Sequence, residues 1–319
     1  MSSRLRDLAS SCMGRFGIPG IADVHICTRS GAYAPYSYWE KFCHGNENYH
    51  HTDIETALAA TTTGRNDVVL LSPDSHTQGD TITWSGNMTH LIGMFPPAMM
   101  NQRSRIGHNA NFAKLLDVTG YGNLFANLYF MYGRDSSATN TNCLTVSGER
   151  NSFINCHFLC GDAATAEANA TDFIDIKCNE GYFKSCTFGN DTVAWADADL
   201  VRLYGASDRS CRVVFDDCLF IVKQDAGADG NFIETVAGMG AGVAIFRNCS
   251  FINIGTAMTI AIDGAGLGNA KLFFDSRCCF ANVTDICTNT KDTNIYCGHD
   301  YGASADESNL IAGFPDHTA

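Results

Sequence analysis

The hexapeptide Phe183-Lys184-Ser185-Cys186-Thr187-Phe188 belongs to a set of six similar stretches that decide the fold. In most copies an aromatic residue stands at each end and a cysteine stands in the fourth position. The copies begin at Phe125, Phe153, Phe183, Phe215, Phe246 and Phe274, and the last carries one inserted residue. Their Leu/Cys positions are 128, 156, 186, 218, 249 and 278, so the steps are 28, 30, 32, 31 and 29 residues. This period predicts a solenoid with one coil per repeat.

A second short pattern lies between these copies. It places an apolar residue on both sides of one variable residue, which is the period of two expected for a strand with one buried face. Its members are Leu116-Asp117-Val118, Leu144-Thr145-Val146, Ile174-Asp175-Ile176, Val201-Arg202-Leu203, Ile233-Glu234-Thr235 and Ile260-Ala261-Ile262. No helical pattern separates the two kinds of strand, which excludes leucine-rich, ankyrin and tetratricopeptide arrays. The sequence therefore predicts an all-β, single-stranded parallel β-helix with 28–32 residues per coil.

Like positions of successive coils stack about 4.8 Å apart, and this spacing explains the residue choices. Phenylalanines at both ends of the stretches are expected to form two aromatic columns in the interior. A polar column sits at a bend, and a cysteine column lies next to it. The polar column contains Asn127, Asn155, Ser185, Asp217 and Asn248, and the cysteine column contains Cys156, Cys186, Cys218, Cys249 and Cys278. Parallel side chains hold the Cβ atoms too far apart for disulfides, so we expect reduced, buried thiols.

Composition excludes several classes of protein. The net charge of −13 disfavours a nucleic-acid-binding surface, because phosphate would be repelled. No apolar run has the length of a membrane span, and the first twenty residues lack the apolar core of a secretory signal. The 15 cysteines are an odd number in a long chain, so we expect thiols in a protein made in a reducing cytosol.

The beginning of the solenoid resembles a known superfamily. Thr52-Asp53-Ile54-Glu55 has the pattern of a capping box before a short helix, and it is followed by Asp67-Val-Val-Leu-Leu-Ser-Pro and His90-Leu-Ile-Gly. Here the chain resembles the opening of the pectate-lyase-like right-handed β-helix superfamily over about Thr52 to Cys297. The resemblance implies a right-handed parallel β-helix with an N-terminal capping helix. It leaves activity open, since the superfamily contains lyases, hydrolases, phage tailspikes and structural virion proteins.

We expect the chain to be divided into three segments. Residues 1–51 form an N-terminal arm or end-plug, residues 52–300 form the β-helix, and residues 301–319 form a C-terminal tail. The arm contains an aromatic cluster that suits a partner-binding hot spot or a cover for the open end of the solenoid. Its members are Tyr33, Tyr36, Tyr38, Trp39 and Phe42.

An enzyme would need a carboxylate site, and the variable residues of the second pattern supply one. They form the column Asp117, Thr145, Asp175, Arg202, Glu234 and Ala261. Acids two coils apart would be separated by about 9–10 Å, near the upper end of the carboxylate spacing in inverting glycosidases. A lyase would instead use the acids for Ca²⁺ and Arg202 as a base or charge stabiliser. The alternative is a surface charge ladder, since Arg202 is the one basic residue in the column and no aromatic sugar platform can be placed beside it.

No cofactor or metal site is predicted. His44, His50 and His51 do not have zinc-site spacing, and Asp225 to Asp229 lack the rhythm of an EF-hand. We expect a structural virion protein of a tailed phage, because the acidic chain without an export signal resembles such proteins. It would be a capsid decoration or cement subunit that binds the major capsid protein in a virion assembled in the bacterial cytoplasm. By resemblance it would be a homotrimer. The alternatives are a tailspike or fibre depolymerase and a polysaccharide lyase or hydrolase acting through Asp175, Arg202 and Glu234.

Overall fold

Three parallel sheets run side by side along a β-helix in a computed structural model of the chain. The structure describes residues 23–29, 49–94, 100, 104–110, 112–132, 142–160, 174–194, 199–205, 211–225, 230–236, 242–287 and 294–297. Strands are numbered in chain order, and every strand pair in the described part is parallel. The predicted all-β right-handed β-helix is confirmed.

Within the described residues, sheet A has 11 strands, and sheets B and C have 8 each. Sheet A contains β1 (Val24–Cys27), β2 (His50–His51), β3 (Asp67–Leu71), β6 (Thr89–Gly93), β9 (Leu124–Ala126), β12 (Ser152–Ile154), β15 (Gly181–Lys184), β18 (Arg212–Asp216), β21 (Val243–Arg247), β24 (Lys271–Phe274) and β27 (Ile295–Cys297). Sheet B contains β4 (Ser75–Gln78), β7 (Ser104–His108), β10 (Leu128–Tyr132), β13 (His157–Cys160), β16 (Thr187–Gly189), β19 (Leu219–Val222), β22 (Ser250–Asn253) and β25 (Cys279–Ala281). Sheet C contains β5 (Ile82–Trp84), β8 (Lys114–Val118), β11 (Asn142–Val146), β14 (Ile174–Ile176), β17 (Val201–Leu203), β20 (Ile233–Thr235), β23 (Met258–Asp263) and β26 (Val283–Cys287).

Both phenylalanine columns lie in the core, as the repeat predicts. Ring centroids of successive coils are 4.5–5.2 Å apart in the column that begins at Phe125. They are 4.5–5.5 Å apart in the column that begins at Phe130. Rings of the two columns also meet edge to face, as Phe215 and Phe220 do. Stacked and edge-to-face contacts are the favoured geometries of aromatic rings, so the columns pack efficiently as well as excluding water.

The bend between sheets A and B repeats one backbone conformation. Asn127, Asn155, Ser185, Asp217 and Asn248 have φ of 58°, 51°, 50°, 57° and 51°. Asn and Asp enter this left-handed region at lower cost than most residues. The Asn155 amide also donates to Asn127 Oδ1 at 2.9 Å, so the predicted polar column connects neighbouring coils.

The cysteine column is buried and unpaired. Cys156, Cys186, Cys218, Cys249 and Cys278 are at most 5% exposed and are free thiols. Each thiol donates to a phenylalanine carbonyl of the preceding coil, as Cys186 does to Phe153 at 3.4 Å. Burial raises the pKa of Cys186 and Cys218 far above that of an ordinary thiol. The column is therefore a packing feature with little nucleophilic character.

The N-terminal end differs from the expectation in two ways. The helix α1 (Ile54–Ala60) has Asp53 as its N-cap, and the Asp53 carboxylate accepts from the Thr56 amide. Thr52 is therefore not the capping residue. In addition, β1 and β2 pair with each other and β1 pairs with β3, so these parts of residues 1–51 belong to the coils. A four-residue apolar strand without the repeat motif gives no signal in the sequence. No helix among the described residues is long and apolar enough to cross a membrane.

Candidate functional site

The four candidate catalytic residues stand in one column on the outer face of sheet C. Thr145 pairs with Asp117 on one side and Asp175 on the other. Arg202 then pairs with both Asp175 and Glu234. The predicted order from Asp117 to Glu234 is confirmed.

The last member of the column is Asp263, and the assignment of Ala261 was wrong. Glu234 pairs with Asp263, whereas the Ala261 carbonyl accepts from the Phe232 amide and its side chain is buried. Isoleucines at both 260 and 262 fit the strand pattern, so the sequence alone supports a register two residues too early. The correction extends the acidic column by one coil.

Asp175 is unusually buried for a carboxylate on the outer face of a sheet. Its side chain is 9% exposed although it lies on the outer face of the sheet. Lys177 Nζ is 3.3 Å from Asp175 Oδ2, and Asp175 Oδ1 has no hydrogen-bond partner among the described residues. The neighbouring Thr145 Oγ1 is also buried and has no partner within the same ranges. Two adjacent unsatisfied oxygens are unusual, because buried polar atoms in native proteins are generally hydrogen-bonded.

Arg202 and Glu234 form a close ion pair beside Asp175. Their side chains are 24% and 23% exposed, so solvent reaches this part of the face. Glu234 is thereby bound to a guanidinium and is not a free partner for Asp175. Arg202 is a charge-stabilising group here, since a guanidinium stays protonated in proteins.

Tyr204 completes the group and was missed in the sequence. Lys177 Nζ lies 4.2 Å from the Tyr204 ring centroid, and the Arg202 guanidinium carbon lies 5.2 Å from it. The ring attracts both cations through its negative face and so fixes them next to Asp175. Lys177 and Tyr204 each follow a column residue by two positions, the strand period that places them on the same face. The column therefore has an aromatic side chain beside it, which the sequence analysis did not place.

Asp117 stands apart from this group. Lys114 Nζ lies 3.2 Å from Asp117 Oδ2, and Thr145 occupies the coil between Asp117 and Asp175. Asp117 therefore belongs to the column without contacting the Asp175 group. Asp175, Lys177, Arg202, Tyr204 and Glu234 are called the Asp175 cluster below.

The described ranges contain no evident binding site for a metal ion. No group of three or more His, Cys, Asp and Glu side chains there is arranged to hold a metal ion. Each described acid of the column is separated from the next acid by a threonine or an arginine, with the exception of Glu234 and Asp263. The aromatic cluster at Tyr33, Tyr36, Tyr38, Trp39 and Phe42 lies outside the described residues, as does His44.

The sheets and bend columns define a parallel β-helix. No family model and no curated protein matches the chain. Among solved structures, the chain is similar to a pectin methylesterase from Aspergillus niger, with 13% identity over 91% of this chain and 94% of that one and a TM-score of 0.49. It is also similar to a pectate lyase, with 15% identity over 92% and 82% and a TM-score of 0.44. A pectin methylesterase in complex with a hexasaccharide gives 12% identity over 91% and 94% and a TM-score of 0.48. At these identities the likeness concerns the fold alone.

Proposed function

We propose that the protein is an enzyme that acts on a polysaccharide at the outer face of sheet C, with Asp175 as the reactive carboxylate. The observation that carries this proposal is the environment of Asp175, which is buried on an outward face with one oxygen that no described residue hydrogen-bonds. Leaving a buried polar group unsatisfied costs about 1–3 kcal/mol. The fold does not require that cost, because the interior columns do not use this face. A substrate hydroxyl or an attacking water supplies the missing donor.

The neighbours of Asp175 divide the chemistry between them. Lys177 binds Asp175 Oδ2 and leaves Oδ1 available to accept a proton from a water molecule or from the substrate. Arg202 stands one coil further and stabilises negative charge that develops on the substrate. Glu234 neutralises the outer side of Arg202, and Tyr204 holds both cations in place. Asp175 and Arg202 are the proposed catalytic residues, and Lys177, Tyr204 and Glu234 position them or balance their charge.

The experiment compares the wild type with Asp175→Asn on a panel of neutral and acidic polysaccharides. Three products are measured: new reducing ends, unsaturated ends and released alcohol or acid. Wild type should form one of these products. Asp175→Asn should lower its rate by at least about 100-fold, the scale of general acid–base catalysis.

Asp216→Asn is the matched control. It removes a partly exposed carboxylate from the outer face of sheet A, where Asp216 lies 4.0 Å from Lys184, and should keep the wild-type rate. Equal unfolding midpoints of the three proteins would exclude a folding defect. Equal rates for Asp175→Asn and the wild type, or no product from any polysaccharide, would overturn the proposal.

A second proposal is the virion role that the sequence resemblance implies. In it the chain is a decoration subunit that binds the major capsid protein, forms a homotrimer and assembles in the bacterial cytoplasm. The observation that favours it is that the cysteines whose side chains the structure describes are free thiols, which suits a reducing compartment. Particles should then carry the full chain and lose it when Tyr33, Tyr36, Tyr38, Trp39 and Phe42 are changed to alanine, a variant that keeps β1 in place. Attachment of that variant, or absence of the protein from purified particles, would count against this role.

A further inference from the structure

The outer face of sheet A carries an apolar column in its last five strands. Tyr182, Val214, Ile245, Phe273 and Tyr296 follow one another in register and are called the outer column. Phe273 is 38% exposed, and the other four side chains are partly exposed. The Phe273 and Tyr296 rings stack with centroids 4.8 Å apart, so they present their edges outward. Such a strip suits an apolar peptide better than the flat face of a sugar ring.

Cationic side chains flank the outer column on both sides. The remaining outward positions of the last five strands of sheet A hold Lys184, Arg212, Asp216, Val243, Arg247 and Lys271. Four of these are basic and one is acidic, and that acid already faces Lys184 at 4.0 Å. The sign is opposite to the net charge of −13. A partner for this face therefore has apolar side chains and negative charge.

The chain that follows β27 has this composition. Residues 298–319 contain Asp300, Asp306, Glu307 and Asp316 but no Lys or Arg. They also contain the apolar residues Leu310, Ile311 and Phe314. In the sequence the segment begins two residues after Tyr296, the last residue of the outer column. Four coil steps of about 4.8 Å give the column a length of about 19 Å, which an extended chain covers in about six residues.

The earlier coils of the same sheet show that its outer face accepts an apolar cover. Val24, Ile26, Val68, Leu70, Ile92, Leu124 and Ala126 form a separate cluster there and are at most 3% exposed. Tyr49 and Met94 pack against this cluster. The outer column continues the same face toward the C-terminus, where the exposed fraction rises.

We propose that residues 298–319 dock on the outer column, with Leu310, Ile311 and Phe314 against its apolar side chains and the acids between Lys184, Arg247 and Lys271. A tethered segment needs little intrinsic affinity, because its effective concentration at a site beside its own attachment point is high. The docked segment covers the exposed rings and pairs the excess cations. This inference is independent of the polysaccharide proposal, since the outer column and the Asp175 cluster are on different sheets.

Zero-length carbodiimide cross-linking of the full chain tests the docking. The reagent joins a carboxylate to an amine that already contacts it, and mass spectrometry locates the joined residues. Asp306 or Glu307 should be joined to Lys184 or Lys271 within a monomer. Lys271→Arg is the matched control, since it keeps the charge but should lose the cross-link at residue 271. Absence of tail cross-links in the monomer, or their presence only in a covalent dimer, would overturn the proposal, and the second result would identify another copy as the occupant.

Hydrogen exchange gives a second, independent measurement in the full chain. The double variant Leu310→Asp, Phe314→Asp should increase exchange in β21, β24 and β27 and leave sheet C unchanged. Ile254→Asp is its control, because Ile254 is an exposed apolar residue outside sheet A, with 49% of its surface accessible. Unchanged exchange in β21, β24 and β27 of the double variant would contradict docking.

Discussion

The interior columns and the outer face of sheet C are built from the same coils but follow opposite rules. Inside, Phe183, Phe215 and Phe246 repeat one residue in one stacked orientation. Outside, Asp175, Arg202 and Glu234 differ in every coil. Identical interior environments select identical residues, whereas the outer face is free to vary. Residues that are both buried and different in each coil, as Asp175 is, therefore point to chemistry rather than to folding.

The largest expected loss of stability comes from placing a charge in the interior. Cys218→Asp places a carboxylate between Cys186 and Cys249, in a column with no cationic partner among the described residues. Burial of an unpaired charge should lower the free energy of unfolding by several kcal/mol. Urea unfolding followed by circular dichroism measures this loss. Cys218→Ala removes the thiol without adding charge and should be far milder, so equal losses in the two variants would contradict a buried column.

A smaller effect is expected at Asp67, where a charge is buried with its partners. Asp67 accepts hydrogen bonds from Arg65 and from the Asp23 and Thr62 amides. Burial raises the pKa of Asp67, but the hydrogen bonds from Arg65 and the two amides lower it by a larger amount. The pKa of Asp67 therefore lies below its ordinary value. A carboxyl with a lowered pKa in the folded state adds stability above its unfolded pKa of about 4. That stability disappears as the pH falls through the folded pKa.

The measurement for Asp67 is the unfolding midpoint as a function of pH. Asp67→Asn should reduce stability at neutral pH by more than the loss of an exposed ion pair, about 1 kcal/mol. The difference from the wild type should shrink below pH 4 or so. Glu55→Gln is a useful comparison, because burial and the nearby Asp53 and Asp80 raise the pKa of Glu55, so its pH dependence should have the opposite sign. A pH-independent difference between Asp67→Asn and the wild type would contradict this assignment.

The polar column at the bend tests a third requirement, a positive φ that is repeated from coil to coil. Asn155→Ala should cost about 1–2 kcal/mol, because alanine is strained at a φ of 51°. It also removes the hydrogen bond to Asn127. Asn155→Gly removes the same hydrogen bond but relieves the strain, and should be the less harmful change. Thermal unfolding of the two variants distinguishes the contributions, and equal losses would show that the side-chain hydrogen bond dominates, since both variants lack it.

The sequence predicts the interior far better than the outer site, and the particular residues show why. The Phe and Cys columns are visible because each coil repeats the same selection. Tyr204 and Lys177 carry no repeat, and their meeting depends on register between coils that are joined by loops of different length. The placement of Asp263 depends on the same register, which two equivalent isoleucines left ambiguous. The sequence pattern assigned the N-cap to Thr52 instead of Asp53 because both residue types favour that position.

The smallest expected effect is at Asp117, and it separates membership of the acidic column from membership of the Asp175 cluster. Asp117→Asn removes a partly exposed partner of Lys114, with 23% of the carboxylate side chain accessible. Such a pair contributes about 0–1 kcal/mol, so the unfolding midpoint should barely move. Thr145 lies between Asp117 and Asp175, so product formation from the responsive polysaccharide should also stay at the wild-type rate. A loss of rate comparable with that of Asp175→Asn would mean that the reacting group extends across Thr145, and the proposed site would then have two carboxylates two coils apart instead of one.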